Sequence, residues 1–115
     1  MTTTIYHNPR CSKSRQTLQL LKDHEIEPVV IEYLQSPPSA AELEQILTLL
    51  DMEPRDLMRK KEAPYKAHNL ADDALSRAEL IAAMIDNPIL IERPIVTTNN
   101  KAAVGRPPEN VLEII

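Results

Sequence analysis

With 115 residues, 43% hydrophobic and 26% charged, the chain has the make-up of one soluble globular domain rather than a disordered segment. A formal net charge of -4 argues against a general polyanion binder, and 3% aromatics with no Phe or Trp argues against base stacking, so nucleic acid is not an expected partner. No stretch approaches the ~18 apolar residues of a membrane span, and no apolar run follows a basic start as in a signal peptide, which makes the cytoplasm the expected compartment.

The first predicted element is a strand over Thr3 to His7, alternating and β-prone, followed by a loop and a helix from about Ser12 to His24 that carries Leu18, Leu20 and Leu21. Pro28 marks the exit from that helix, and Val29-Val30-Ile31 reads as a buried parallel strand. These pieces make a right-handed βαβ unit. After Ser36-Pro37-Pro38, Ser39 with Glu42 three residues on is a capping-box signature for a helix to about Leu50, and Ser76 with Glu79 repeats it before Leu80, Ile81, Met84 and Ile85. Between them, 51–74 is polar and predicts only short turns such as 55–60. A helical insertion of about 39–87 is the result, closed by Pro88.

Ile95 to Thr98, Asn99-Asn100 and Ala102 to Val104 predict a β-hairpin with a tight turn, and Pro107 at a first helical turn predicts a terminal helix carrying Val111, Leu112 and Ile115. The order is β, α, β, helices, β, β, α. It matches an α/β fold with a thioredoxin-like mixed sheet, a parallel βαβ pair plus a C-terminal hairpin, formed by 1–115 as a single domain. In that fold a proline before the third strand is cis and stands beside the reactive thiol. Pro94 occupies that place.

Cys11 is the only cysteine, and it falls where the first strand gives way to the first helix. A sulfur at a helix N-terminus meets unpaired backbone N–H groups and the positive end of the macrodipole, which favour the thiolate. Arg10, Lys13, Arg15 and His7 crowd the same loop and are expected to push the same way. One cysteine forms no internal disulfide, so a second redox thiol has to come from another molecule. His24 and His68 stand in polar contexts without ligand-like spacing to Cys11, and no metal site is expected.

Arg59, Arg93 and Arg106 each lie beside a loop or an element end. A guanidinium holds its charge at every working pH and grips oxyanions bidentately, so converging arginines make an oxyanion clamp. Arg15, on the first helical turn, is a candidate fourth contact, with an ordinary surface charge as the competing reading.

Taken in order, His7-Asn8-Pro9-x-Cys11-x-x-Ser14-Arg15, Glu32-Tyr33-Leu34, Arg59-Lys60, Pro64-Tyr65, Asn87-Pro88-Ile89-Leu90-Ile91-x-Arg93-Pro94-Ile95-Val96 and Arg106-Pro107 resemble the glutaredoxin-linked ArsC family of arsenate reductases, over nearly the whole chain. The resemblance implies that Cys11 is the nucleophile, that His7 helps hold it as thiolate, and that Arg59, Arg93 and Arg106 clamp arsenate and arsenite. It implies attack of the thiolate on pentavalent arsenic, glutathione as co-substrate and glutaredoxin as partner, with no bound cofactor; the sequence leaves the oligomeric state open, a monomer being favoured. Ser12 and Lys13 stand where family members commonly have Gly and Thr, and Arg10 is bulkier than the small residue expected there. Two other readings compete: an Spx-like regulator that binds RNA polymerase, for which Ser14 removes the Cys-x-x-Cys switch, and a thiol-dependent enzyme acting on another small oxyanion or disulfide.

Overall fold

The computed structural model describes residues 2–115. They divide into two compact units: one is formed by the chain up to Ser36 together with Arg93–Ile115, and the other by Pro37–Glu92.

In the first unit, strands β1 (Thr4–His7), β2 (Val29–Glu32), β3 (Ile95–Thr98) and β4 (Lys101–Val104) form a mixed sheet of order β2-β1-β3-β4. β1 pairs parallel with β2 and antiparallel with β3, and β3 pairs antiparallel with β4. Asn99 and Asn100 join the last two strands with φ of 53° and 59°, the left-handed geometry a two-residue hairpin needs and asparagine tolerates. Helix α1 (Ser12–Asp23) turns Ser14, Thr17 and Leu21 inward at helical spacing. Leu21 joins Ile5, Val96, Val111 and Ile114 in the core. Burying each of the larger aliphatic side chains contributes about 1.5–3 kcal/mol. The two central strands are thereby fixed under α1, and the His7 end of β1 opens onto the loop that carries Cys11.

Two expectations are corrected in this unit, and a third is met. β2 is parallel to β1 but not buried: it is an edge strand with a neighbour on one side only, and Val29 and Val30 are 50% and 45% exposed. The terminal helix is a 3-10 segment (Pro108–Glu113), with Pro107 before it as its cap rather than in its first turn. Its buried residues Pro108 and Val111, with Ile114 directly after the segment, recur every third position, the repeat of a 3-10 helix, while Leu112 is exposed. The Arg93–Pro94 peptide is cis, and so is Arg106–Pro107, which the sequence reading did not anticipate.

In the second unit, α2 (Ala40–Leu50) and α4 (Arg77–Asp86) both begin at complete capping boxes, Ser39 with Glu42 and Ser76 with Glu79. They pack together, with Leu43, Ile46, Leu47, Leu80, Ile81 and Met84 buried. The polar connection between them holds a 3-10 turn (Pro54–Leu57) and a short helix α3 (Ala63–Ala67) that the sequence reading did not separate. Pro88 does not close this unit. It opens a 3-10 turn, and the chain runs on through an antiparallel bridge between Ile91 and Met58 to Glu92. Arg77 ties α4 to Glu44 of α2 and to Glu53, both at 3.0 Å.

Candidate active site

The loop after β1 is a wired turn. The Cys11 N–H donates to the Asn8 carbonyl at 3.0 Å, and the Arg10 N–H donates to the Asn8 side-chain oxygen at 3.0 Å. Asparagine suits this place because its side chain closes a local turn of its own. The turn delivers Cys11 to the N-cap position of α1, where its carbonyl accepts the first helical bond, from Arg15. Arg15 also reaches back, Nη1 to the Pro9 carbonyl at 3.0 Å, and braces the loop. That contact, rather than the sulfur, is where the structure places the Arg15 guanidinium.

Cys11 is 8% exposed. Burial pushes its pKa up, but the backbone N–H groups of Ser14 and Lys13 and the guanidinium of Arg93 outweigh burial and bring it below the ordinary thiol value. Arg93 stands one residue before the cis proline that leads into β3. Arg106 follows β4, its Nε donating to the Arg93 carbonyl at 2.8 Å and its Nη2 lying 3.6 Å from Cys11 Sγ. Two guanidinium groups from distant parts of the sequence thus meet one sulfur. The expected contributions of the Arg10, Lys13 and Arg15 side chains are replaced by Arg93 and by main-chain donors.

Close packing holds this geometry. Gly105, the only glycine of the chain, lies between Thr17 of α1 and Pro94: a Cβ there would stand 2.5 Å from Thr17 Oγ1 and 2.8 Å from Pro94 Cγ. Its N–H donates to the Pro94 carbonyl at 2.9 Å, locking the start of β3 to the end of β4.

His7 is buried beside this site but bonds Ser14, not Cys11: His7 Nδ1 and Ser14 Oγ are 2.6 Å apart. Burial lowers the His7 pKa, Glu32 opposes, and Arg15 and Lys22 add to the lowering, so the ring is neutral at neutral pH. Ser14 Oγ also accepts the Asn8 N–H at 3.0 Å, and the direction of its bond to Nδ1 follows the tautomer of the ring. Ser14 is therefore a member of the site to which the sequence reading gave no role. The signal was its place three residues after an N-cap, where the N–H faces the capping side chain.

Arg59 belongs to the second unit. There its Nε pairs with Glu62 at 3.2 Å and its Nη1 with Glu92 at 2.9 Å. Burial opposes its charge, but the two carboxylates raise its pKa above the ordinary value.

A thioredoxin-like sheet with one activated cysteine at the start of its first helix, a cis proline beside it and arginines at the sulfur defines a class of thiol-based oxidoreductases. Within that class the model of the ArsC family matches residues 6–114, and the chain belongs to this family. It is 60% identical over 112 residues to the uncharacterised protein YfgD of Escherichia coli K12, covering 96% of this chain and 94% of that one. It is 49% identical over 116 residues to an arsenate reductase of Haemophilus influenzae, with both chains fully covered. Among solved structures, an arsenate reductase from Vibrio cholerae superposes with a TM-score of 0.96 at 53% identity, covering 100% of this chain and 98% of that one.

Proposed function

We propose that the protein is an arsenate reductase. The observation that carries this reading is the Cys11 thiol, depressed in pKa and set against Arg93 and Arg106, in a chain 44–49% identical to proteins named arsenate reductase. The Cys11 thiolate attacks As(V) with loss of a hydroxyl, forming an S–As bond. Arg93 and Arg106 hold the oxyanion and stabilise the charge that builds up on the adduct. A thiol in trans, glutathione, then attacks the Cys11 sulfur. The S–As electron pair passes to arsenic, which leaves as arsenite, and glutaredoxin resolves the mixed disulfide. Two thiols become one disulfide and arsenic gains two electrons.

The chain's only cysteine is Cys11, which makes supply of the resolving thiols from outside a requirement of this scheme. Such a cycle suits a reducing compartment such as the cytoplasm. No helix among the described residues is long and apolar enough to cross a membrane.

The test is arsenate-dependent NADPH oxidation in the presence of glutathione, glutathione reductase and glutaredoxin. Wild type turns over and Cys11→Ser does not, although sulfur to oxygen barely changes volume. Absence of turnover in a folded wild type sinks the reading.

A further inference from the structure

The charges of this acidic chain are segregated around the thiol. Residues 1–22 and 93–108 supply β1, the Cys11 loop, nearly all of α1, the cis-proline segment, β3, β4 and Gly105-Arg106. They contain seven of the thirteen basic residues and none of the seventeen acidic ones. Five of the seven, Arg10, Lys13, Arg15, Arg93 and Arg106, lie in the loop, in the first helical turn or at the strand ends by the sulfur, whereas Lys101 stands across the sheet at the hairpin turn.

Three of these five have assigned work: Arg93 and Arg106 at Cys11, and Arg15 at the Pro9 carbonyl. Arg10 and Lys13 do not. Arg10 is exposed and Lys13 half-buried, and among the described residues neither side chain makes a hydrogen bond or an ion pair. Arg10 stands one residue before the cysteine, on the turn closed by Asn8, and Lys13 two residues after it, in the first turn of α1. Both cations thus lie within two residues of Cys11 along the chain, and among the described residues neither has a counter-ion. The reacting oxyanion is small and already faces two guanidiniums, so further cations at the rim match negative charge borne by the molecule that comes to the sulfur next.

We propose that Arg10 and Lys13 form a carboxylate-binding rim on the Cys11 loop that selects a small, carboxylate-bearing thiol over a neutral one as the attacking reductant. The selection deepens the arsenate reductase reading and rests on it. The incoming thiolate attacks Cys11 Sγ, an S–S bond forms as the S–As pair returns to arsenic, and the rim holds the reductant's carboxylates while its sulfur is aligned. A peptide thiol with two carboxylates, such as glutathione, fits this chemistry. Mercaptoethanol does not.

The experiment compares how fast Cys11 of the full chain reacts with the dianionic disulfide dithionitrobenzoate and with neutral dithiodipyridine, in stopped flow at a pH where the thiolate predominates. The ratio of the two rate constants isolates recognition of the carboxylates from thiol reactivity. In Arg10→Gln/Lys13→Gln the ratio falls by about tenfold, the effect of removing two near charges in water. In Lys101→Gln, a single loss of charge at the far end of the hairpin, it stays at the wild-type value. A ratio unchanged in the double variant, or lowered as much by Lys101→Gln, overturns the proposal. In arsenate turnover the double variant shows a raised KM for glutathione and an unaltered KM for mercaptoethanol, and equal shifts for both thiols count against the rim. Because the disulfide ratio needs no arsenate, a wild type that fails to turn over arsenate while keeping the Arg10- and Lys13-dependent ratio refutes the arsenate reading and leaves the rim standing.

Discussion

Ser14 Oγ lies 2.6 Å from His7 Nδ1, so His7 is coupled to the Cys11 thiol through the residue whose backbone N–H stabilises the sulfur anion. One serine, through its hydroxyl, satisfies the Asn8 amide and the His7 imidazole, and it does so fully buried. Its hydroxyl and its main chain have separable duties. Ser14→Ala leaves the buried His7 Nδ1 and the half-buried Asn8 N–H without their partner and lowers stability by about 1–3 kcal/mol, read as a drop in the urea midpoint. Because the N–H remains, the pH midpoint for alkylation of Cys11 moves little. A large upward move with stability intact would assign the hydroxyl to the sulfur directly.

The guanidinium of Arg93 is a principal side-chain cause of the depressed thiol pKa. Arg93→Ala therefore shifts the midpoint of the iodoacetamide rate profile to higher pH, so that less thiolate reacts at neutral pH. Arg93→Lys keeps a charge but loses the fork, and falls between the two. A profile identical to wild type in Arg93→Ala would leave the main-chain donors of the helix terminus as the sole cause.

His7 is held neutral, with its pKa below the ordinary 6.5 chiefly because it is buried. The unfolded chain takes up a proton at its ordinary value before the folded chain does. The contribution of His7 to stability is therefore present above about pH 6.5 and is lost as pH falls from there through the folded value. The difference in urea midpoint between pH 7.5 and 5.5 is smaller in His7→Gln than in wild type. Equal pH slopes in the two proteins would refute this.

Gly105 is required for close approach. A methyl group at this position meets Thr17 Oγ1 and Pro94 Cγ at distances well inside van der Waals contact, so Gly105→Ala destabilises by about 1–3 kcal/mol and displaces the segment that carries Arg106. Arsenate turnover falls with it. Because Thr17 supplies two of the three contacts, Gly105→Ala combined with Thr17→Ala costs less than the sum of the single changes, and a double-mutant cycle in denaturant measures the coupling. Strict additivity would mean that the strain is relieved elsewhere.

What the sequence determined by itself was local. The two capping boxes at Ser39 and Ser76, the Asn99-Asn100 hairpin, the strand-loop-helix around Cys11 and the proline before β3 depend on residues within a few positions of one another, and the structure realises each of them. Membership of the ArsC family was legible in the same way, from motifs in a fixed order. The rest depended on partners far away in the chain. Val29-Val30-Ile31 has the apolar run of a central strand, but its place at the sheet edge follows from β1 having β3 on its other side. Basic neighbours in the loop suggested what would ionise Cys11, yet the side chain that lowers its pKa is Arg93, brought over by antiparallel pairing of β3 with β1. His7 read as a residue that helps hold the thiolate, and the structure adds its partner, Ser14, whose own N–H faces the sulfur. Electrostatics and hydrogen bonds act over a few ångströms of space, and only the folding of the sheet decides which residues share that space.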